Sequence, residues 1–116
     1  MRYEAARKFA LSLAGSTMEP HGDWVSFRVQ GKRFASAPPD FEHIHIFVDE
    51  HETRARVDQA PAAFEAILHG PRVIGVRVTL KAADAADVLD LLTLSWQRKA
   101  PRKLLDASRM QRTGDR

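Results

Sequence analysis

Apolar residues recur along this chain with two different periods, and each change of period marks an element. Ala5, Ala6, Phe9, Ala10 and Leu13 fall on one face at a period of 3.6, with Arg2, Glu4, Arg7 and Lys8 on the others. That spacing predicts an amphipathic helix over 2–13. Gly15 suits the left-handed residue that closes it. Thr17 to Asp23 contains Pro20 and Gly22 and reads as loop. The period then becomes two. Val25, Phe27 and Val29 alternate with Ser26, Arg28 and Gln30, Gly31-Lys32 forms a tight turn, and Arg33 to Ala37 returns as a second strand. After Pro38-Pro39-Asp40, Glu42 to Val48 reads as a third strand. Ile44, Ile46 and Val48 face one way on it, and His43, His45 and Phe47 the other.

Asp49-Glu50-His51-Glu52 has the spacing of a capping box and opens a helix that runs to Gln59. Pro61 begins a further helical turn with Phe64, Ile67 and Leu68 on its apolar face, and His69-Gly70-Pro71 stops it. Arg72 to Leu80 alternates as a strand, with Ile74, Val76, Val78 and Leu80 opposed to Val73, Gly75, Arg77 and Thr79. Asp84 caps a long helix, and Asp87 complements its positive end. Val88, Leu91, Leu92, Ser95 and Trp96 form its buried stripe. Pro101 breaks the helix, and Arg102 to Met110 restarts as a short one. Consecutive strands followed by helices predict an α+β fold. It is a two-layer sandwich with an antiparallel sheet of four to five strands and helices packed on one face. Residues 1–106 form one domain, with 107–116 as a basic, disordered tail.

Composition narrows the chemistry. The chain has 116 residues and no cysteine. Disulfides, thiolate zinc sites and cysteine nucleophiles are therefore excluded. No apolar run approaches the roughly 18 residues of a membrane span. The N-terminal stretch lacks the apolar core of a secretory signal, so a cytoplasmic location is expected. The net charge of +3 is unevenly spread: residues 98–116 carry +5 and residues 1–97 carry −2. A basic segment of this kind is an electrostatic footprint for a polyanion or a solvated helix end.

Several strings stand out by their order and spacing together. They are Ala10-Leu11-Ser12-Leu13-Ala14-Gly15, Glu19-Pro20-His21-Gly22-Asp23-Trp24 and Phe27-Arg28-Val29-Gln30-Gly31-Lys32-Arg33-Phe34-Ala35. Ala63-Phe64-Glu65 and Ser95-Trp96-Gln97-Arg98-Lys99-Ala100-Pro101-Arg102-Lys103-Leu104 complete them. In that order they resemble the MmcQ/YjbR family of small bacterial proteins, and the resemblance runs from Phe9 to Leu104. It implies a two-layer α+β fold and a double-wing arrangement associated with DNA binding. The family's tract before the last strand is rich in glycine and tryptophan; here it reads His69-Gly70-Pro71-Arg72-Val73-Ile74-Gly75.

With that resemblance, the hairpin around Gly31 becomes a first wing carrying Arg28, Lys32 and Arg33. The connection carrying Arg72, with Arg77 on the strand after it, becomes the second. Lys99, Arg102 and Lys103 complete a cationic surface. The expected partner is double-stranded DNA, held through its phosphates with little base reading, since no recognition-helix or zinc-finger motif is present. The alternative is a protein- or small-ligand-binding module that uses Phe47 and neighbouring aromatics on an open sheet face. Trp24, Phe27, Phe34 and Trp96 are the other large aromatics to be divided between such a face and the core.

His43 and His45 lie two apart on one strand face with His51 following, but no metal site, catalytic residue or cofactor is expected. Asp84, Asp87 and Asp90 at i, i+3 and i+6 read as a solvated helix edge. No phosphate-binding glycine loop or nucleophile elbow occurs. A non-enzymatic, monomeric binding protein is the expectation.

Overall fold

The computed structural model describes residues 1–107. Helix α1 (Tyr3–Ser12) leads into strands β1 (Ser16–His21), β2 (Trp24–Val29), β3 (Lys32–Ala37) and β4 (His43–Ile46). Helix α2 (Glu50–Gln59), strands β5 (Phe64–His69) and β6 (Arg72–Thr79), and helix α3 (Ala85–Lys99) follow. Residues 102–107 are helical again; the remainder of that predicted helix and the tail from 108 onward lie outside the described residues. The strands form one antiparallel sheet in the order β1-β2-β3-β4-β6-β5. The architecture is the two-layer α+β sandwich, with six strands rather than four or five.

Two elements depart from the sequence reading. The stretch read as loop forms β1, an edge strand exposed along almost its whole length. With one neighbour only, it needs no apolar alternation, and Pro20 is tolerated because an edge position can spare a donor. The turn read as helical after Pro61 forms β5, paired with β6 from Phe64↔Val78 to His69↔Arg72. Phe64, Ile67 and Leu68 fit a helical period over so short a run. Pairing with β6 satisfies the backbone instead, and His69-Gly70-Pro71 becomes part of a hairpin, with Gly70 at φ 62°. The β2–β3 turn sits one residue earlier than predicted. Gln30 and Gly31 take φ 50° and 77°, the pattern of a type I′ turn that matches strand twist.

Register divides the side chains between two faces. Phe27, Ala35, Ile44, Ile46, Val76 and Val78 are fully buried on one face, under α3 and α2. The predicted stripe of α3, Val88, Leu91, Leu92, Ser95 and Trp96, is buried against them. Phe27, Phe34 and Trp96 thus belong to the core. Phe34 reaches it because a bulge in the β2–β3 register turns it inward beside Arg33. Ser95 Oγ lies within hydrogen-bonding distance of the Phe34 and Phe47 carbonyls, where β3 and β4 part. Trp96 donates its indole N–H to the Ala14 carbonyl at 2.9 Å.

Capping follows the sequence in part. Asp49 accepts the Glu52 N–H at 2.8 Å, but the Glu52 carboxylate turns to Arg56 instead of reaching back. Arg56 also reaches Asp87 at 2.6 Å and so ties α2 to α3. Asp87 is therefore not simply solvated, as its place on the predicted polar edge implied. Asp84 occupies the α3 N-cap without a side-chain cap bond.

Candidate functional site

Strand direction decides which basic residues meet. β2, β4 and β5 run one way, and β1, β3 and β6 the other. The Gln30-Gly31 turn, the exit of β4 at Phe47 and the Gly70-Pro71 turn therefore share one end of the sheet. The last turn of α3 arrives at the same end, since Arg98 donates to the Phe47 carbonyl at 2.8 Å and Trp96 bonds Ala14. Both hairpin tips and the α3 terminus thus converge. Only β4 separates the two hairpins, so their tips lie three strand spacings apart, about 14 Å.

Six of the eight predicted cations are brought to this end: Lys32, Arg33, Arg72, Lys99, Arg102 and Lys103. All are exposed except Lys99, which is half-buried. None has an ion-pair partner among the described residues. Arg33 lies over the Phe47 ring at 5.1 Å, a cation–π contact. Arg28 is placed differently. Its Nη1 donates to the Gly31 carbonyl at 2.9 Å and its Nε is 3.4 Å from Glu19, so it braces its own turn. Arg77 lies farther along β6 and faces away from the helices. Of the acids at this end, Glu50 and Glu52 are paired with Arg54 and Arg56 and Asp49 caps α2, while Asp106 is exposed on the same short helix as Arg102 and Lys103.

The second candidate region is the sheet face opposite the helices. One cross-strand row spans all six strands there. Glu19 pairs with Ser26, Ser26 with Ser36, Ser36 with His45, His45 with Arg77, and Arg77 with Glu65. Paired residues share a face, so this polar row crosses the whole sheet. Ser26 and Ser36 are 1% and 3% exposed, and His45 is half-buried. Ser26 Oγ and His45 Nε2 are buried without a hydrogen-bond partner among the described residues. Trp24 stands edge-on to His45, with ring centroids 5.0 Å apart. Burial holds the His45 imidazole below its ordinary pKa, and the charges of Arg77, His43 and Arg33 push the same way against a weaker pull from Asp40. Of the aromatics considered for an open face, Trp24 and Phe47 stand there.

Sequence reasoning missed this row. Its signal was the polar half of each alternating strand, Ser26 on β2 and His45 on β4, but the cross-strand partners depend on register. The histidines do not gather as His43, His45 and His51. His43 Nδ1 is 2.7 Å from Asp40, whose other oxygen accepts the Glu42 and His43 N–H groups. Asp40, Glu42 and His43 can each bring one ligand atom within 4.8 Å of the others on this exposed turn. Burial is the largest single influence on the Asp40 carboxyl and raises it, but the hydrogen bonds from Glu42 and His43 together with the His43 charge outweigh it and hold its pKa below the ordinary value. Among the described residues, no helix is long and apolar enough to cross a membrane.

No family model, curated protein or solved structure matches this chain.

Proposed function

We propose that this protein is a non-enzymatic DNA-binding protein that holds duplex phosphates at its hairpin end. The observation that carries this reading is the convergence of two hairpin tips and the α3 terminus, with six cations lacking ion-pair partners among the described residues. The tips are about 14 Å apart, close to the roughly 12 Å width of the major groove. Lys32 and Arg33 on one tip and Arg72 on the other then reach phosphates on opposite sides of a groove. Lys99, Arg102 and Lys103 extend the contact on the helical side. The resemblance to the MmcQ/YjbR family supports the same partner. Arg28 acts by holding the first tip in shape, and Arg77 stands outside the contact.

Backbone-directed binding has a characteristic salt response. Six phosphate contacts lose roughly 10³-fold or more in affinity between about 50 and 200 mM salt. Fluorescence anisotropy with a labelled random-sequence duplex reads this directly. A chain ending at Asp106 is expected to keep most of the binding, because the six cations precede its end. No binding at low salt, or binding lost entirely with the tail, contradicts the proposal.

The open-face alternative has an observation of its own in the polar row. A row that holds Arg77 beside partnerless buried polar atoms suits a small anion better than a protein surface.

A further inference from the structure

The open face carries more polar chemistry than folding asks of it. A buried hydroxyl or imidazole nitrogen without a partner costs stability. Ser26 and His45 both carry that cost, two strands apart on one row. Ser36 lies between them, and Arg77 beside His45 has no ion-pair partner among the described residues. Arg33 stands in the next row toward the hairpin end. Ser36, His45 and Arg77 sit on three neighbouring strands and together offer a hydroxyl, an imidazole and a guanidinium to one anion.

We propose that this row is a site for one small phosphate-bearing molecule, with the phosphate over Ser36 and His45 and Arg77 as its counter-charge. Ser36 donates from one side and the Arg77 fork from the other, with His45 Nε2–H between them, and Ser26 stands one strand beyond Ser36. Arg33 closes on the site from the hairpin side. Trp24, edge-on to His45, gives the rest of the molecule an apolar wall.

The row's ends decide between a single anion and a polyanion. Glu19 ends it on β1 and Glu65 on β5. A phosphate between Ser36 and His45 lies about two and a half strand spacings, roughly 12 Å, from either acid. That is near the screening length at moderate salt, so one anion escapes most of their repulsion. A nucleic-acid strand laid along the row would meet both carboxylates. The site shares only Arg33 with the duplex contact proposed at the hairpin end, and either can fail without the other.

The test is an NMR titration of the ¹⁵N-labelled full chain with inorganic phosphate at constant ionic strength, with sodium chloride as the control. The amides of Ser26, Ser36, His45 and Arg77 and the His45 imidazole are expected to shift and saturate, with a Kd on the order of 1 mM. Arg77→Gln is expected to weaken this about tenfold or more by removing the charged fork. His45→Gln, close in volume, should weaken it too, so poor folding of one variant does not protect the proposal. Arg72→Glu, on the far tip, should leave it unchanged. Shifts that never saturate, shifts confined to the hairpin tips, or an Arg77→Gln titration equal to the unaltered chain would overturn it. If a duplex moves the same row resonances, the occupant is nucleic acid and the small-molecule assignment falls.

Discussion

The two faces of this sheet are made by the same strands and obey different rules. On the covered face, Phe27, Ala35, Ile44, Ile46, Val76 and Val78 are fully buried against the helices. On the other, the same strands present Ser26, Ser36, His45 and Arg77 at register-matched positions. Alternation puts one residue type on each face, so one face can hold the fold while the other carries chemistry. The difference shows that burial alone does not mark the core. Ser26 and Ser36 are as buried as many core residues, yet nothing apolar is gained by burying their hydroxyls.

The strongest way to break this comparison is to truncate one residue on each face. Ile46→Ala removes apolar packing under α3 and is expected to cost about 2–5 kcal/mol in denaturant unfolding. Ser36→Ala, beside it on β3 and facing the other way, should change stability by less than about 1 kcal/mol. Equal losses would show that the open face is part of the core.

Gly75 probes the place where the faces meet. A Cβ there would lie 2.5 Å from the Ile46 carbonyl oxygen and 3.1 Å from the Phe47 Cα, both backbone atoms. Gly75→Ala must push β4 away from β6, at a cost of about 1–3 kcal/mol. An alanine variant as stable as the unaltered chain would mean that the β4 exit yields freely.

A smaller effect comes from pH. His45 titrates at 6.5 when unfolded and lower in the native state, because burial and then the cations of Arg77, His43 and Arg33 disfavour its charged form. Between the two values the unfolded chain binds a proton that the native chain does not. Stability is therefore full above 6.5 and declines as pH falls through the native value. Comparing urea midpoints at about pH 7.5 and 5 should show that decline, and His45→Gln should lessen it. Asp40 acts in a separate window: its contribution is present above 3.8 and lost as pH falls through its lowered native value. An unchanged decline in His45→Gln would place its origin elsewhere.

Much of the covered face was legible in the sequence, because a stripe such as Val88, Leu91, Leu92, Ser95 and Trp96 repeats at the helical period. β1 was not, because an exposed edge strand with Pro20 carries no apolar alternation. β5 was misread because three apolar residues in a short run fit two periods. The six cations could be named, but not their meeting, which depends on β4 lying between the two hairpins. Arg28 shares their charge and their hairpin, but its guanidinium braces the Gly31 turn. The polar row was the least legible, since five strand pairings are needed to align Glu19 with Glu65.

The most direct measurement is an anisotropy titration of one labelled duplex at low salt with three variants: Lys32→Glu joined with Arg33→Glu, Arg72→Glu, and Arg77→Gln. Duplex binding at the hairpin end predicts a large loss and a shallower salt slope for the first two, and near-unaltered binding for Arg77→Gln. Full binding after both tip reversals, or binding lost only in Arg77→Gln, would contradict it and move the contact to the open face.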